Sequence, residues 1–222
     1  MSIFAISNLH IMTPTEQRNE RLGLHLVRSL ARRNMEAVYC PTAKEAVQRV
    51  MEMIPDGSSV SWGGSVTLRS IGLTDALHAR GTLKVLDRDR ATTTEEKIAT
   101  YHKALWADYY LSSANALSED GVIVNIDGNG NRVAAITYGP EHVIFVIGLN
   151  KVAQNVEAAI ARARSTASPV NAARFDIKTP CQTDGTCHNC NSADCICNYI
   201  HLLRNSPRKR HNVVLVGETL GY

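Results

Sequence analysis

Long apolar runs are missing from this 222-residue chain: the longest, VIFVIGL, falls far short of the ~20 residues that span a bilayer. No membrane span is expected. Aromatic residues are scarce at 5%, and the formal net charge is only +3. Neither the charge excess of a disordered chain nor the sustained basic face of a nucleic-acid binder is present. The single basic cluster, RNSPRKRH near the C-terminus, reads as a solvated loop, so no nucleic-acid partner is expected. The opening MSIFAISNLHIMTP has no basic n-region, sustained apolar stretch or small-residue cleavage site. A secretory signal is therefore not expected, and the chain is read as cytoplasmic. Internal repeats, low-complexity linkers, the P-loop lysine and the dinucleotide fingerprint are also lacking. The simplest division is a single domain, 1–222, with a cysteine-bearing excursion at 180–198.

What is there alternates. Pro14 opens an amphipathic helix over 14–34, with Leu22, Leu26, Val27 and Leu30 on one face. A buried strand, EAVYC, follows, and Thr42 caps a helix striped by Ala43, Ala46, Val47, Val50, Met51 and Ile54. The rhythm continues through strand SSVSW, a helix over 63–80, strand LKVLD, a helix from Thr94 to about Ala107, and strand YYLSS. Next come strands VIVNI and HVIFVIG flanking a short helix RVAAITY, then helix NVEAAIARAR, a helix around CNYIHLLR and a closing strand NVVLVGE. Strands alternating with helices imply an α/β fold, a mostly parallel sheet covered on both faces. Ligands in such sheets settle beyond the carboxyl ends of the strands, so the loops there carry the functional candidates.

Two of those loops are rich in small polar residues. In SVSWGGSVTLRSIGL, Trp62, Gly63, Gly64, Ser65 and Thr67 follow a strand, and backbone N–H groups and hydroxyls there suit a phosphate or carboxylate. The same Gly-Gly-Ser pattern is also an ordinary tight turn, and Trp62 is more often a core or lip residue than a stacking platform. In YLSSANALSEDGVIVNIDGNGN, Ser112, Ser113, Asn115, Asn125, Asp127, Gly128, Asn129, Gly130 and Asn131 exceed what one turn needs. They mark a polar ligand pocket or a pair of Asx-type turns. Asp127 is the candidate catalytic base or nucleophile, ahead of Glu119 and Asp120, unless it only fixes its turn by accepting backbone N–H bonds.

Five of the six cysteines lie in PCQTDGTCHNCNSADCICNYI. Cys181, Cys187, Cys190 and Cys197 form C-x5-C-x2-C-x6-C, whose central pair lets two thiolates meet on one ion. Cys195 is a fifth candidate, and one thiol must be spare because a tetrahedral ion takes four ligands. In a reducing compartment such clusters favour zinc or an iron-sulfur cluster, with redox disulfide exchange and inert buried thiols as the other readings. His188 sits within the C-x2-C and is a possible substitute ligand. Cys40, before Pro41, reads as a core residue.

The blocks SWGGSVTLRSIGL, YLSSANALSEDG, VNIDGNGNRVAAITYGPEHVIFVIGLNKV and the cysteine segment together resemble the bacterial lactate utilization (LUD) domain family, over roughly residue 14 to the closing LGY. The resemblance implies the three-layer α/β/α fold of ribose phosphate isomerase, glucosamine phosphate isomerase and CoA transferases. It also implies an accessory or subunit role in oxidation of lactate to pyruvate, with iron-sulfur ligands in some members and other lactate-utilization subunits as possible partners. The chain departs from the larger members in lacking the ferredoxin run C-x2-C-x2-C-x3-C-P and an added helical domain. The expectation is a pocket for a small acid or phosphate, a cysteine-held metal and a homodimer. The alternatives are a free-standing isomerase or acyl-transfer enzyme acting on a phosphorylated sugar or CoA ester, and a metal-organised interaction module.

Overall fold

The computed structural model describes residues 12–222. Most of the opening stretch read as lacking a secretory signal lies outside the described residues. Helix α1 (Pro14–Ala31) begins with a reciprocal capping box between Thr13 and Glu16, so two of its otherwise unpaired N-terminal donors are satisfied. It stops three residues before the expected boundary, and the chain turns at Asn34 with φ +58. Strand β1 (Glu36–Cys40) and helix α2 (Ala43–Met53) follow, the latter capped by Thr42 as expected. Beyond strand β2 (Ser59–Trp62), the single helix expected over 63–80 is two, α3 (Val66–Ser70) and α4 (Leu73–Ala79). Gly72 divides them with φ +73, a left-handed conformation that ends a helical run and that glycine adopts without a Cβ clash.

Strand β3 (Lys84–Leu86), helix α5 (Thr94–Ala104), strands β4 (Tyr109–Ser112), β5 (Ala116–Ser118) and β6 (Ile123–Asp127), and helix α6 (Asn131–Thr137) come next. They are followed by β7 (His142–Gly148), the two-residue β8 (Val152–Ala153), α7 (Val156–Arg162), a π-helical stretch leading into α8 (Ser168–Ala172), and α9 (Pro180–Asp184). Strands β9 (Tyr199–Leu203) and β10 (His211–Val216) complete the order.

Six strands form one parallel sheet in the order β1-β10-β7-β4-β2-β3. Its central strands are apolar on both sides. In β7, Val143, Phe145 and Ile147 pack with Leu26 and Leu30 of α1 and Ile136 of α6, while Ile144 and Val146 pack with Val50 of α2 and Leu77 of α4. Strand β10 splits in the same way, Val213 and Leu215 against Val214 and Val216. At roughly 1.5–3 kcal/mol per fully buried aliphatic side chain, these two strands supply much of the driving force for the helix-sheet-helix sandwich.

A second sheet, β8-β5-β6-β9, was not evident from the alternation pattern. It lies at the α1 and α6 side of the main sheet, where Leu117, Ile123 and Leu203 join the same core, and its other face packs Ala116, Val124 and Ile126 against Ala159 and Ala163. Here one expectation is corrected: the helix around CNYIHLLR is strand β9. It pairs antiparallel with β6 from Ile123↔Leu203 to Asp127↔Tyr199. Without it, β6 would present an unpaired edge, and five residues of ladder outweigh a local helix preference that is marginal for so short a run.

The basic run at 204–211 is not simply a solvated loop. The Arg210 guanidinium is buried and donates to the carbonyls of Ala135, Ile136 and Pro140, closing the C-terminal end of α6. Among the described residues, no helix is long and apolar enough to cross a membrane.

Candidate functional site

A cavity of about 310 Å³ opens at the carboxyl edge of the main sheet. Its walls are the loops after five of the six parallel strands: Gly64–Thr67 after β2, Arg88 after β3, Ser113–Asn115 after β4, Lys151 after β7, and Gly221 and Tyr222 after β10. The loop from β6 into α6 supplies Asp127–Asn129, Asn131 and Arg132. Asn171 in α8, Arg174 and Phe175 just beyond it, and Ile196 of the cysteine segment complete it.

Ten of the expected residues meet there: Gly64, Ser65, Thr67, Ser112, Ser113, Asn115, Asp127, Gly128, Asn129 and Asn131. Four do not line it. Trp62 is a core residue, in edge contact with His78, because strand alternation turns its side chain into the face covered by α2 and α4. Gly63 lies against Tyr110 and the Arg132 stem. Asn125 is fully buried beneath the loop, its Oδ1 accepting from Arg132 Nη1 at 2.8 Å. Gly130, with φ +81, is packed against the Tyr199 ring.

Asp127 faces its own turn. Its Oδ1 accepts from the N–H groups of Asn129 at 3.2 Å and Gly130 at 2.9 Å, and its Oδ2 pairs with Arg132 Nε at 3.3 Å. That is the geometry of a carboxylate fixing an Asx-type turn.

Arg132 is saturated. Beyond Asp127 it donates to Ser113 O, Asn125 Oδ1, Asn115 Oδ1 and Ile126 O. A guanidinium has five N–H donors, so all are spent on holding the β4–β5 and β6–α6 loops together. Its charge still faces the cavity.

Sequence reasoning missed the cations. Lys151 Nζ reaches Thr67 Oγ1 and Ser113 Oγ at 3.0 Å each and Ala114 O at 3.2 Å. Burial, and then the Arg162 and Arg132 charges, push its pKa down to about 7. Arg88 donates from Nη1 to Tyr101 Oη at 2.5 Å, lies over that ring, and sets Nη2 against Gly64, where any Cβ would meet it at 2.1 Å. Its Nε is 3.3 Å from Asp89 Oδ1 without forming a hydrogen bond, and is otherwise buried unpartnered. Arg174 is held by Asn171 Oδ1 and Tyr222 Oη, both at 3.0 Å. The available signal was positional: Lys151 and Arg88 each stand a few residues past a predicted strand, where the loops were read for hydroxyls and amides alone.

The cysteines are all free thiols. Cys40 is buried in the core, as expected. Cys181 lies in α9, its sulfur 3.2 Å from Thr179 Oγ1. Burial raises the Cys197 thiol, a Ser168 hydrogen bond opposes this, and the neighbouring thiols of Cys195, Cys187 and Cys181 raise it further. Cys190 is lowered by hydrogen bonds from Ser192, with a further hydrogen bond to Cys195. The five sulfurs therefore share one neighbourhood. Among the described residues, however, no three His, Cys, Asp or Glu side chains gather as ligands of one ion. His188 pairs with Asp184 at 2.7 Å. The segment touches the cavity wall, since Asn198 Nδ2 donates to Gly128 O at 3.0 Å and the Ile196 backbone covers Gly128.

Comparison with known proteins gives one family and one fold. A family model described as the LUD domain matches residues 24–216. Among solved structures, a DUF162 family protein from Deinococcus radiodurans is 14% identical and superposes with a TM-score of 0.52, covering 93% of this chain and 99% of that one. Ribose 5 phosphate isomerase A from Neisseria gonorrhoeae is 15% identical over 51% of this chain and 54% of its own, with a TM-score of 0.34. The delta chain of eIF2B from Chaetomium thermophilum is 17% identical over 68% and 61%, with a TM-score of 0.36. No curated protein matches the chain.

Proposed function

The chain belongs to the LUD, or lactate utilization, domain family, and from that premise we propose that its cavity binds a small organic acid or phosphate in the service of lactate oxidation. The observation that carries this reading is the basic character of the walls: Arg88, Arg132, Lys151 and Arg174 against one side-chain carboxylate, Asp127, already committed to Arg132 and its own turn. A cavity of that size suits a ligand of a few heavy atoms. Desolvated cations with spare donors, as on Arg88, select an oxyanion over a neutral molecule. In this reading Asp127 positions Arg132, and Ser65, Thr67, Ser113 and Asn115 supply hydrogen bonds to the guest.

The cysteine segment adds a metal to the same reading. Cys181, Cys187, Cys190 and Cys197 would hold it, with Cys195 as the spare thiol, and four thiolates suit zinc or an iron-sulfur cluster. The shared neighbourhood of the sulfurs supports this. Binding would draw them closer, so metal and loop closure are coupled. The role is that of an accessory or subunit protein in the cytoplasm, with other lactate-utilization subunits as partners and a second copy of the chain as the oligomeric partner.

The test is calorimetric titration of the full chain with L-lactate, pyruvate and inorganic phosphate, alongside elemental analysis and an absorption spectrum of protein prepared without air. Saturable binding of at least one anion, weakened by Arg88→Met, is the expected result. Lack of binding by all three would overturn the pocket reading. Absence of both bound metal and a visible chromophore would overturn the metal reading by itself.

A further inference from the structure

Lys151 is 3% exposed, at the end of the short 3-10 turn Leu149–Lys151. The oxygens within reach of its nitrogen, on Thr67, Ser113 and Ala114, are all neutral. The charged groups around it are of one sign. Arg132 from α6 and Arg162 from α7 both disfavour its ammonium form, and Arg88 and Arg174 line the same cavity. The cavity's carboxylate, Asp127, is turned towards Arg132 and the N–H groups of Asn129 and Gly130. Tyr222, the other titratable group in the wall, donates its hydroxyl to Asn171. A buried lysine with no counterion costs stability that a methionine of similar volume would not. Its burial beside two arginines makes sense where the negative charge arrives from outside.

We infer that Lys151 is the anchoring cation of the pocket, and that an incoming anion supplies its missing carboxylate while one proton from solvent is taken up onto Nζ. This rests on the anion-pocket reading above and specifies its ligand chemistry. The free pocket holds the amine with a Thr67 or Ser113 hydroxyl turned towards its lone pair. The occupied pocket holds an ammonium with the anion beside it. No net charge is added, because anion and proton enter together, so a singly charged small carboxylate or equivalent oxyanion satisfies the site and its uncharged amide does not. Burial sets the balance: the depressed affinity of Lys151 for its proton, with a pKa near 7, leaves much of it neutral at physiological pH and ready to respond.

The experiment is calorimetric titration of the full chain with pyruvate and with sulfate, neither of which titrates near neutrality. Buffers of differing ionisation enthalpy are used, from pH about 6 to about 9. The slope of the observed heat against buffer enthalpy should show uptake approaching one proton per anion above pH 7. Affinity should fall by up to about tenfold per pH unit over that range. Lys151→Met should bind at least about tenfold more weakly and take up no proton. Lys151→Arg, permanently charged, should take up none at any affinity and reports the same point if the methionine variant does not fold. Anion binding without proton uptake, or with the same uptake in either variant, overturns this inference and leaves the anion pocket standing. Failure of both anions to bind overturns the inference, and the pocket falls with it only when L-lactate and phosphate also fail to bind.

Discussion

Arg132 shows how much of the site depends on one side chain. Its guanidinium joins Asp127, Asn115, Asn125, Ser113 O and Ile126 O, five acceptors from the β4–β5 loop and the buried strand β6. Replacing it leaves the Asp127 carboxylate without its cation and Asn125 Oδ1 without its donor in a desolvated wall, and breaking a buried pair in this way costs about 3–5 kcal/mol. Arg132→Met should therefore lower the urea midpoint by an amount of that order with the slope unchanged. Arg132→Lys should recover little, since one ammonium cannot span a fork of five acceptors. An unchanged midpoint in either variant would show that the loops are held by something else. Asn125 and Asp127 were legible as loop polar residues because local composition carries that signal. Their shared partner was not, because the strand ends that converge on Arg132 come from two different sheets.

At the scale of elements, the turn from β6 into α6 is where backbone and neighbouring strand constrain one position together. Gly130 has φ +81, and a Cβ there would lie 3.2 Å from the Tyr199 ring of β9. Gly57 has nearly the same backbone angle, φ +83, but nothing within 4 Å. Gly57→Ala should cost about 1 kcal/mol from backbone strain alone, whereas Gly130→Ala should cost more, because it also pushes on β9. Equal losses in thermal or urea unfolding would mean that β9 does not press on this turn. Strand β9 is also the element that the residue pattern misassigned. Ile200, Leu202 and Leu203 satisfy helical and extended spacing about equally over so few residues, and the choice was made by the open edge of β6. The helix over 63–80 divided for the opposite reason, a local one, at Gly72.

The whole molecule has a built-in acid limit at His211. This residue is fully buried at the start of β10, where Nε2–H donates to Ile136 O at 2.9 Å and Nδ1 accepts from Ser206 Oγ at 2.8 Å. Burial pushes its pKa down to about 4, with the Ile136 bond opposing and the Arg210 and His201 charges assisting. The unfolded chain takes the proton near 6.5 and the folded chain only near 4. More protons are then bound by the unfolded state across that window, so stability must fall as pH drops from about 6.5 to about 4. The loss is of the order of 3 kcal/mol. Urea midpoints measured across that range should decline, and His211→Asn should flatten the decline. A wild-type midpoint constant over that range would contradict the buried neutral imidazole.

The alternation of strands and helices, the helix opening at Pro14 and the cap at Thr42, the core role of Cys40 and the polar loops were all determined by the sequence by itself. Each is a short-range matter, settled by hydrophobic period, capping chemistry or composition within a few residues. The strand order β1-β10-β7-β4-β2-β3 was decided only in three dimensions. That order sets Lys151, from the end of β7, between the loops after β2 and β4, and brings Gly221 and Tyr222 from beyond β10 to the same wall. A lysine is left among arginines without a counterion when neighbouring strand ends bury them together, and that is a property of long-range packing.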